Sequence, residues 1–221
     1  MESGTRDLTT GSIPKNLIWL SLPIMLSNFM QTFYNLTDAF WLGKLSENAP
    51  GAVSTVGIAF PLIFFLASFG FGFVVAGTAI VARYKGAGEI DKIKAVVGQF
   101  VFILIIFSIV FLLGSMLFIK PILTLLRVPS EILEMACSYT RIILVGVTFM
   151  FVFMFYQSIA HGLGDTLTPM KIQVLSVSLN VILDPLLIFG VGFLPRLGTV
   201  GAAYATLIAR IIAAIMAISF I

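Results

Sequence analysis

The chain alternates between long apolar stretches and short polar breaks. Six stretches, roughly 17–43, 52–82, 95–119, 135–160, 172–190 and 200–221, are long enough to cross a bilayer, for which a helix needs ~20 apolar residues. Within them the apolar residues run on unbroken rather than alternating with polar ones, which excludes the strands of a membrane barrel. The pattern predicts an all-α integral membrane protein with six transmembrane helices. The first two stretches exceed the minimum length, so tilt or kinking is expected, and Pro23 and Pro61 offer places to bend.

The breaks set the orientation. They read "KLSENAPG", "RYKGAGEIDKIK", "KPILTLLRVPSE", "HGLGDTLTPMK" and "VGFLPRLG" in chain order. Lys and Arg concentrate before the first span and in the second and fourth breaks, so the positive-inside rule places the N-terminus in the cytoplasm of a cell-membrane protein. The polar tail, residues 1–12, shows no signal-peptide core. The sequence stops at "IIAAIMAISFI" without a polar flank, which raises the expectation that a second part of the protein follows.

Composition narrows the function. The chain is 59% hydrophobic and only 10% charged, with 21 Phe, more apolar surface than a soluble domain of this length hides. The single Cys137 excludes an internal disulfide and any CxxC motif. A net charge of +3 gives no reason to expect a nucleic-acid partner. "GAGE" after Lys85 lacks the strand and helix of a phosphate-binding loop. No Walker lysine, HExxH or Ser-His-Asp grouping stands out, so neither an enzyme nor an organic cofactor is expected. The partners expected are the lipid bilayer and a small molecule.

Two acids lie well inside predicted spans: Asp38 in the first and Asp184 in the fifth. Asp38 precedes the break at Lys44 by ~9 Å of helical rise and Asp184 precedes Gly192 by ~12 Å, so both sit at similar depth in the outer half of the membrane. Gln31, Tyr34, Asn35 and Asp38 follow i, i+3, i+4, i+7 spacing and share one helix face. Asn180 and Asp184 share a face four residues apart. Pro185 has no N–H, so the Val181 carbonyl loses its helical donor, and a broken helix beside Asp184 is expected. A charge at this depth costs at least ~2.5–3.5 kcal/mol. Two neighbouring carboxylates would therefore hold a proton or bind a cation such as Na⁺; otherwise each Asp caps a broken helix or bonds backbone.

Other residues are less telling. Arg210 falls near mid-depth of the sixth span, where it needs a partner or water, and a structural role is expected. His161 reads as a solvated or capping residue. The Phe-rich run at 149–156 reads as lipid and core packing, and the small residues of "GFGF" and "VAGTA" as sites of close helix approach. "NLTDAFWLG" and "NVILDPLLIFG" look alike, as do "STVGIAFP" and "GTVGAAYAT", at offsets of 146 and 144 residues. Both pairs fit a repeated helical hairpin or chance similarity.

"QTFYNLTDAFWLGKL", "GTAIVARYKGAGE", "GLGDTLTPMKIQVLSVSLNVILDPLLIFG" and "LGTVGAAYATLIAR", in that order, together resemble the N-terminal half of multidrug and toxic compound extrusion (MATE) transporters, in their DinF-like branch. The resemblance runs from about Ile13 to the end. It implies one six-helix lobe of a twelve-helix antiporter that expels amphiphilic or cationic compounds in exchange for H⁺ or Na⁺. It assigns a cation site to Asp38, Asn180, Asp184 and Thr206, with Thr199 also near, and places Tyr34, Tyr139 and Gln157 in the wall of a cargo cavity. Gln31 and Asn35, on the face of Tyr34, join that cavity. A second six-helix lobe is the implied partner. A lipid-linked oligosaccharide flippase of related fold and a non-transporting membrane fragment are the alternatives.

Overall fold

The computed structural model describes residues 12–46, 51–191 and 195–220. Six helices follow one another among them: α1 (Ile13–Ser46), α2 (Ala52–Gly86), α3 (Ile90–Leu125), α4 (Ser130–Gly162), α5 (Leu167–Phe189) and α6 (Thr199–Ser219). The described residues contain no strand. Nearly all of the polar tail, and parts of the first and fifth breaks, lie outside the described residues.

Most helices extend past the apolar stretches that announce them. α3 continues through Lys120 and Pro121 to Leu125, and α2 runs on to Gly86. Hydropathy marks only the lipid-facing middle of a helix, whereas backbone hydrogen bonding carries it on until a cap stops it. Three such caps have one form. Gly88 has φ 73° and Gly164 φ 81°. In each case the glycine and its successor donate back to the last turn: Gly88 to Lys85 and Glu89 to Tyr84, Gly164 to His161 and Asp165 to Ala160. These are Schellman ends, which favour glycine because its backbone enters the left-handed region without a Cβ clash. The end of α3 has the same bonds, from Arg127 to Thr124 and from Val128 to Leu123, but there Arg127 takes the left-handed position at φ 57°. Lys85 Nζ donates to the Leu163 carbonyl and ties the ends of α2 and α4 together.

Five of the helices are long and apolar enough to span a membrane; α1 is not among them. Its polar stripe, from Asn28 through Asp38, lowers the hydropathy of a helix that is otherwise long enough. α1 passes through Pro23 and α2 through Pro61 without interruption.

α4 is the centre of the bundle. It packs against α2, α3 and α6, while α1 leans chiefly on α5, and α5 on α6. Leu66, Ile119, Leu123, Leu144 and Phe151 form the core among α2, α3 and α4. Lipid offers helices no hydrophobic drive to associate, so contact rests on close packing, which small residues permit. A Cβ on Gly77 would lie 2.7 Å from Ser158 Oγ, and one on Gly162 2.6 Å from Val81 Cβ. One on Gly70 would lie 2.6 Å from Met154 Sδ. Gly70 and Gly77 are thus the points of approach within "GFGF" and "VAGTA", whereas Gly72 has nothing within 4 Å of a Cβ position. The tightest is on α6: a Cβ on Gly201 would lie 2.4 Å from the Leu187 carbonyl oxygen of α5.

At one end of the bundle the hairpins α1–α2 and α5–α6 meet. Leu42, Leu45, Ala52, Ile188 and Ala202 form one buried cluster there. The repeated TVG segments begin α2 and α6, but they are not equivalent. Gly57 has nothing within 4 Å of a Cβ position, whereas Gly201 is pressed on backbone.

Candidate functional site

A cavity of about 380 Å³ opens among α1, α2, α4, α5 and α6. Each helix contributes the face that its spacing defines. α1 lends Gln31, Tyr34, Asn35 and Asp38; α4 lends Tyr139 and Gln157; α5 lends Asn180; α6 lends Thr206. Of the nine residues assigned from sequence and resemblance to a cation site and cavity wall, only Asp184 is missing from the lining. It lies one turn beyond Asn180 and is 0% exposed, against 8% for Asp38. One acid therefore meets the cavity and the other is enclosed behind it. Thr199 is buried at the start of α6 and does not line the cavity.

Hydrogen bonds fix this wall. Tyr34 Oη and Thr206 Oγ1 lie 2.8 Å apart and join α1 to α6. Gln173 Nε2 donates to Gln31 Oε1 at 2.8 Å and joins α5 to α1. Ser176 Oγ donates to the Ala209 carbonyl at 3.1 Å and joins α5 to α6. Gln173 and Ser176 line the cavity too, and the sequence reading missed them. They extend the stripe of Asn180 and Asp184 backwards at helical spacing, which is the signal that would have found them.

The acids themselves are under-satisfied. Asn180 Nδ2 donates to Asp184 Oδ1 at 3.3 Å. The other oxygen of Asp184, Asp38 Oδ1 and Asn180 Oδ1 are buried without a hydrogen-bond partner. Asp38 and Asp184 are close enough for their charges to interact. Three oxygens without donors, two of them from carboxylates, are what a proton or a small hard cation would satisfy. Among the described residues no group of three or more His, Cys, Asp or Glu gathers to hold a metal ion.

The expected break at Pro185 does not occur. α5 runs unbroken from Leu167 to Phe189 with Pro185 inside it. The proline removes one N–H, but the turn around it is held from outside, by the close approach of Gly201 and by bonds from Leu197 and Gly198 to the carbonyls of Leu187 and Ile188. Asp184 thus projects from a continuous helix.

Arg210 also lines the cavity, one helical turn past Thr206. Its charge interacts with that of Asp38. Among the described residues it forms no ion pair, and its Nη1 is buried without a partner.

Comparison with known proteins agrees with this architecture. The chain is 32% identical over 217 residues to the probable multidrug resistance protein YoeA of Bacillus subtilis, covering 96% of this chain and 46% of that protein. It is 30% identical over 207 residues to a second Bacillus subtilis relative, the probable multidrug resistance protein YpnP, covering 94% of this chain and 45% of that protein, and 30% identical over 207 residues to a FAD transporter of Shewanella oneidensis, covering 93% and 45%. Among solved structures, a MOP superfamily transporter from Pyrococcus furiosus superposes with a TM-score of 0.82 at 28% identity, over 95% of this chain and 45% of that one. The chain spans about half the length of the curated relatives it matches. The MatE family model matches residues 23–186. A six-helix membrane bundle with this match over most of its length belongs to the MatE family, whose members are transporters and not enzymes.

Proposed function

We propose that the chain forms the N-terminal lobe of a secondary active antiporter that exports amphiphilic or cationic compounds in exchange for H⁺ or Na⁺. The observation that carries this reading is the pair of under-satisfied carboxylates, Asp38 on the cavity wall and Asp184 behind it. With both ionised, the cavity attracts a cationic or dipolar cargo. An incoming H⁺ or Na⁺ is held by Asp38, Asn180 and Asp184, with Thr206 beside them, and cancels that charge. The cargo then loses its electrostatic anchor. The difference in cargo affinity between the ion-free and ion-loaded states is the coupling free energy. α1 yields at Pro23 and along its polar stripe, and a second lobe completes the alternating path. The N-terminus lies in the cytoplasm, a reading that the Lys and Arg distribution supports.

A flippase for lipid-linked oligosaccharides needs several basic groups to hold pyrophosphate. Arg210 is the single Lys or Arg among the described residues that line the cavity, which weighs against that alternative. Relatives named for drug resistance and for FAD stand at similar identity, so kinship alone leaves the cargo open.

The test is export in a drug-sensitive host by the full-length protein, comparing Asp38→Asn and Asp184→Asn with wild type. Loss of resistance in both, at equal protein level, is expected. Unchanged resistance in both would remove the coupling role and leave the inert-fragment alternative standing.

A further inference from the structure

The mechanism above uses the acids and leaves Arg210 without a task. We infer that Arg210 is the anion-recognising subsite of the cargo cavity, so that the preferred cargo is a zwitterion whose cationic group lies towards Asp38 and whose carboxylate lies on Arg210. This rests on the proposed reading only in taking the cavity to be where cargo binds.

The geometry supports it in three ways. First, the guanidinium has a fixed seat. A Cβ on Gly146 of α4 would lie 3.4 Å from Arg210 Nη1 and 3.5 Å from its Cδ, so the side chain lies against α4 where glycine leaves room. Second, it is not neutralised. Asp38 shares the cavity wall and feels its charge, yet no described carboxylate lies within ion-pairing distance. Arg210 lines the cavity, and its planar fork of donors is suited to a carboxylate, which such a fork binds through two parallel hydrogen bonds. Third, aromatic rings line the same space as the charged groups: Tyr34, Tyr139, Phe64 and Phe153. The cavity therefore offers one negative pole, one positive pole and aromatic surface beside them, which a zwitterionic head group carrying an apolar body matches.

The sign of the charges also fits exchange. A simple anion would bind better once the acids are neutralised, and so would travel with the coupling ion. A zwitterion still competes with that ion at Asp38, so exchange is preserved while Arg210 adds selectivity.

Three fluorescent probes with one body separate the poles: Nε-dansyl-lysine carries both charges, dansylcadaverine lacks the carboxylate, and dansyl-aminohexanoate lacks the amine. Their binding to the purified full-length protein is read from dansyl emission, with protein-free micelles as the blank. Wild type is expected to bind dansyl-lysine about tenfold or more tighter than dansylcadaverine, the range for a charge-assisted hydrogen bond. Arg210→Gln is expected to bring that ratio close to one by weakening dansyl-lysine alone. Arg210→Lys keeps the charge but not the fork, and retains part of the preference. A wild-type ratio near one overturns the inference and requires no variant to fold. Equal weakening of both probes by Arg210→Gln also overturns it, because that marks a structural role. If instead dansylcadaverine fails to compete with H⁺ or Na⁺ while the ratio behaves as expected, the coupling reading falls and the Arg210 subsite stands.

Discussion

Gly201→Ala tests whether the proposed cation site is held by close packing of α6 on α5. The added Cβ would lie 2.4 Å from the Leu187 carbonyl oxygen, 2.6 Å from its carbon and 2.9 Å from Ile188 N. All three are backbone atoms, so no side chain can rotate away. Restoring ordinary contact requires α6 and α5 to part by about 1 Å. Overpacking of this kind costs ~1–3 kcal/mol, and the better helix propensity of Ala returns up to ~1 kcal/mol. A net loss of about 1–2 kcal/mol is expected, or a fall of roughly 2–8 °C in Tm for a chain of this size. The displacement also pulls on Thr206, further along the same helix and 2.8 Å from Tyr34 Oη. Ion-dependent stabilisation should therefore weaken together with Tm. The assay is thermal unfolding of the purified protein in one detergent, with and without Na⁺ and across pH. Gly72→Ala is the control, since nothing lies within 4 Å of a Cβ there; it should leave Tm unchanged or raise it. Equal Tm values for Gly201→Ala and wild type would refute the packing argument.

Asp38→Asn and Asp184→Asn should each remove the stabilisation that the coupling ion gives wild type, about 2.7 kcal/mol at a hundredfold excess over Kd and read as a rise in Tm; a variant that keeps the full rise excludes that acid from the site. Without the ion, Asp184→Asn should be at least as stable as wild type, because it removes a carboxylate with no exposure and one unpaired oxygen. Tyr34→Phe deletes the bridge to Thr206 and should cost about 0.5–1.5 kcal/mol in the same unfolding assay, with loss of ion affinity. Arg127→Gly places glycine at the left-handed cap of α3 and should stabilise by about 0.5–1 kcal/mol; a lower Tm would contradict the cap geometry.

What was legible in the sequence follows from what a single chain encodes locally. Length and apolar runs announce helices because the bilayer demands both, and the 3.6-residue period gathers Gln31, Tyr34, Asn35 and Asp38 on the face that does line the cavity. The helix ends were less legible because caps decide them. Arg127 at a left-handed position carries none of the signal that Gly88 and Gly164 carry. The break at Pro185 was misjudged for a related reason. A proline's local cost is visible in sequence, but the contact of Gly201 with Leu187 that holds the turn is not. Arg210 illustrates the same boundary. Its depth could be counted, but which side of α6 meets the cavity depends on how the alanines at 202, 205, 209 and 213 pack against the neighbouring helices. Thr206 entered through family resemblance, and its bond to Tyr34 is visible only once α1 and α6 are brought together.

The matched depth of the two acids has a structural cause. Leu42 lies one turn beyond Asp38 on α1, and Ile188 lies one turn beyond Asp184 on α5, and both belong to the same buried cluster. That cluster sets the register of the two helices, so each acid sits about 6 Å of helical rise from a shared clamp. On the other side of Asp38, Tyr34 is held to Thr206, and further along the helix Gln31 is held to Gln173. The two kinds of contact differ in how they can yield. The apolar cluster is close-packed and loses its contacts together if α1 slides. The polar bridges exchange one partner for water or cargo at a net cost of about 0.5–1.5 kcal/mol each. On the reading proposed above, opening the cavity would release α1 from its Gln31 and Tyr34 bridges and bend it towards Pro23, while the end carrying Leu42 would stay on α5. Asp38 lies at the border between the held part and the moving part. In that reading, neutralising it would shift the electrostatic balance where the held part of α1 meets the moving part.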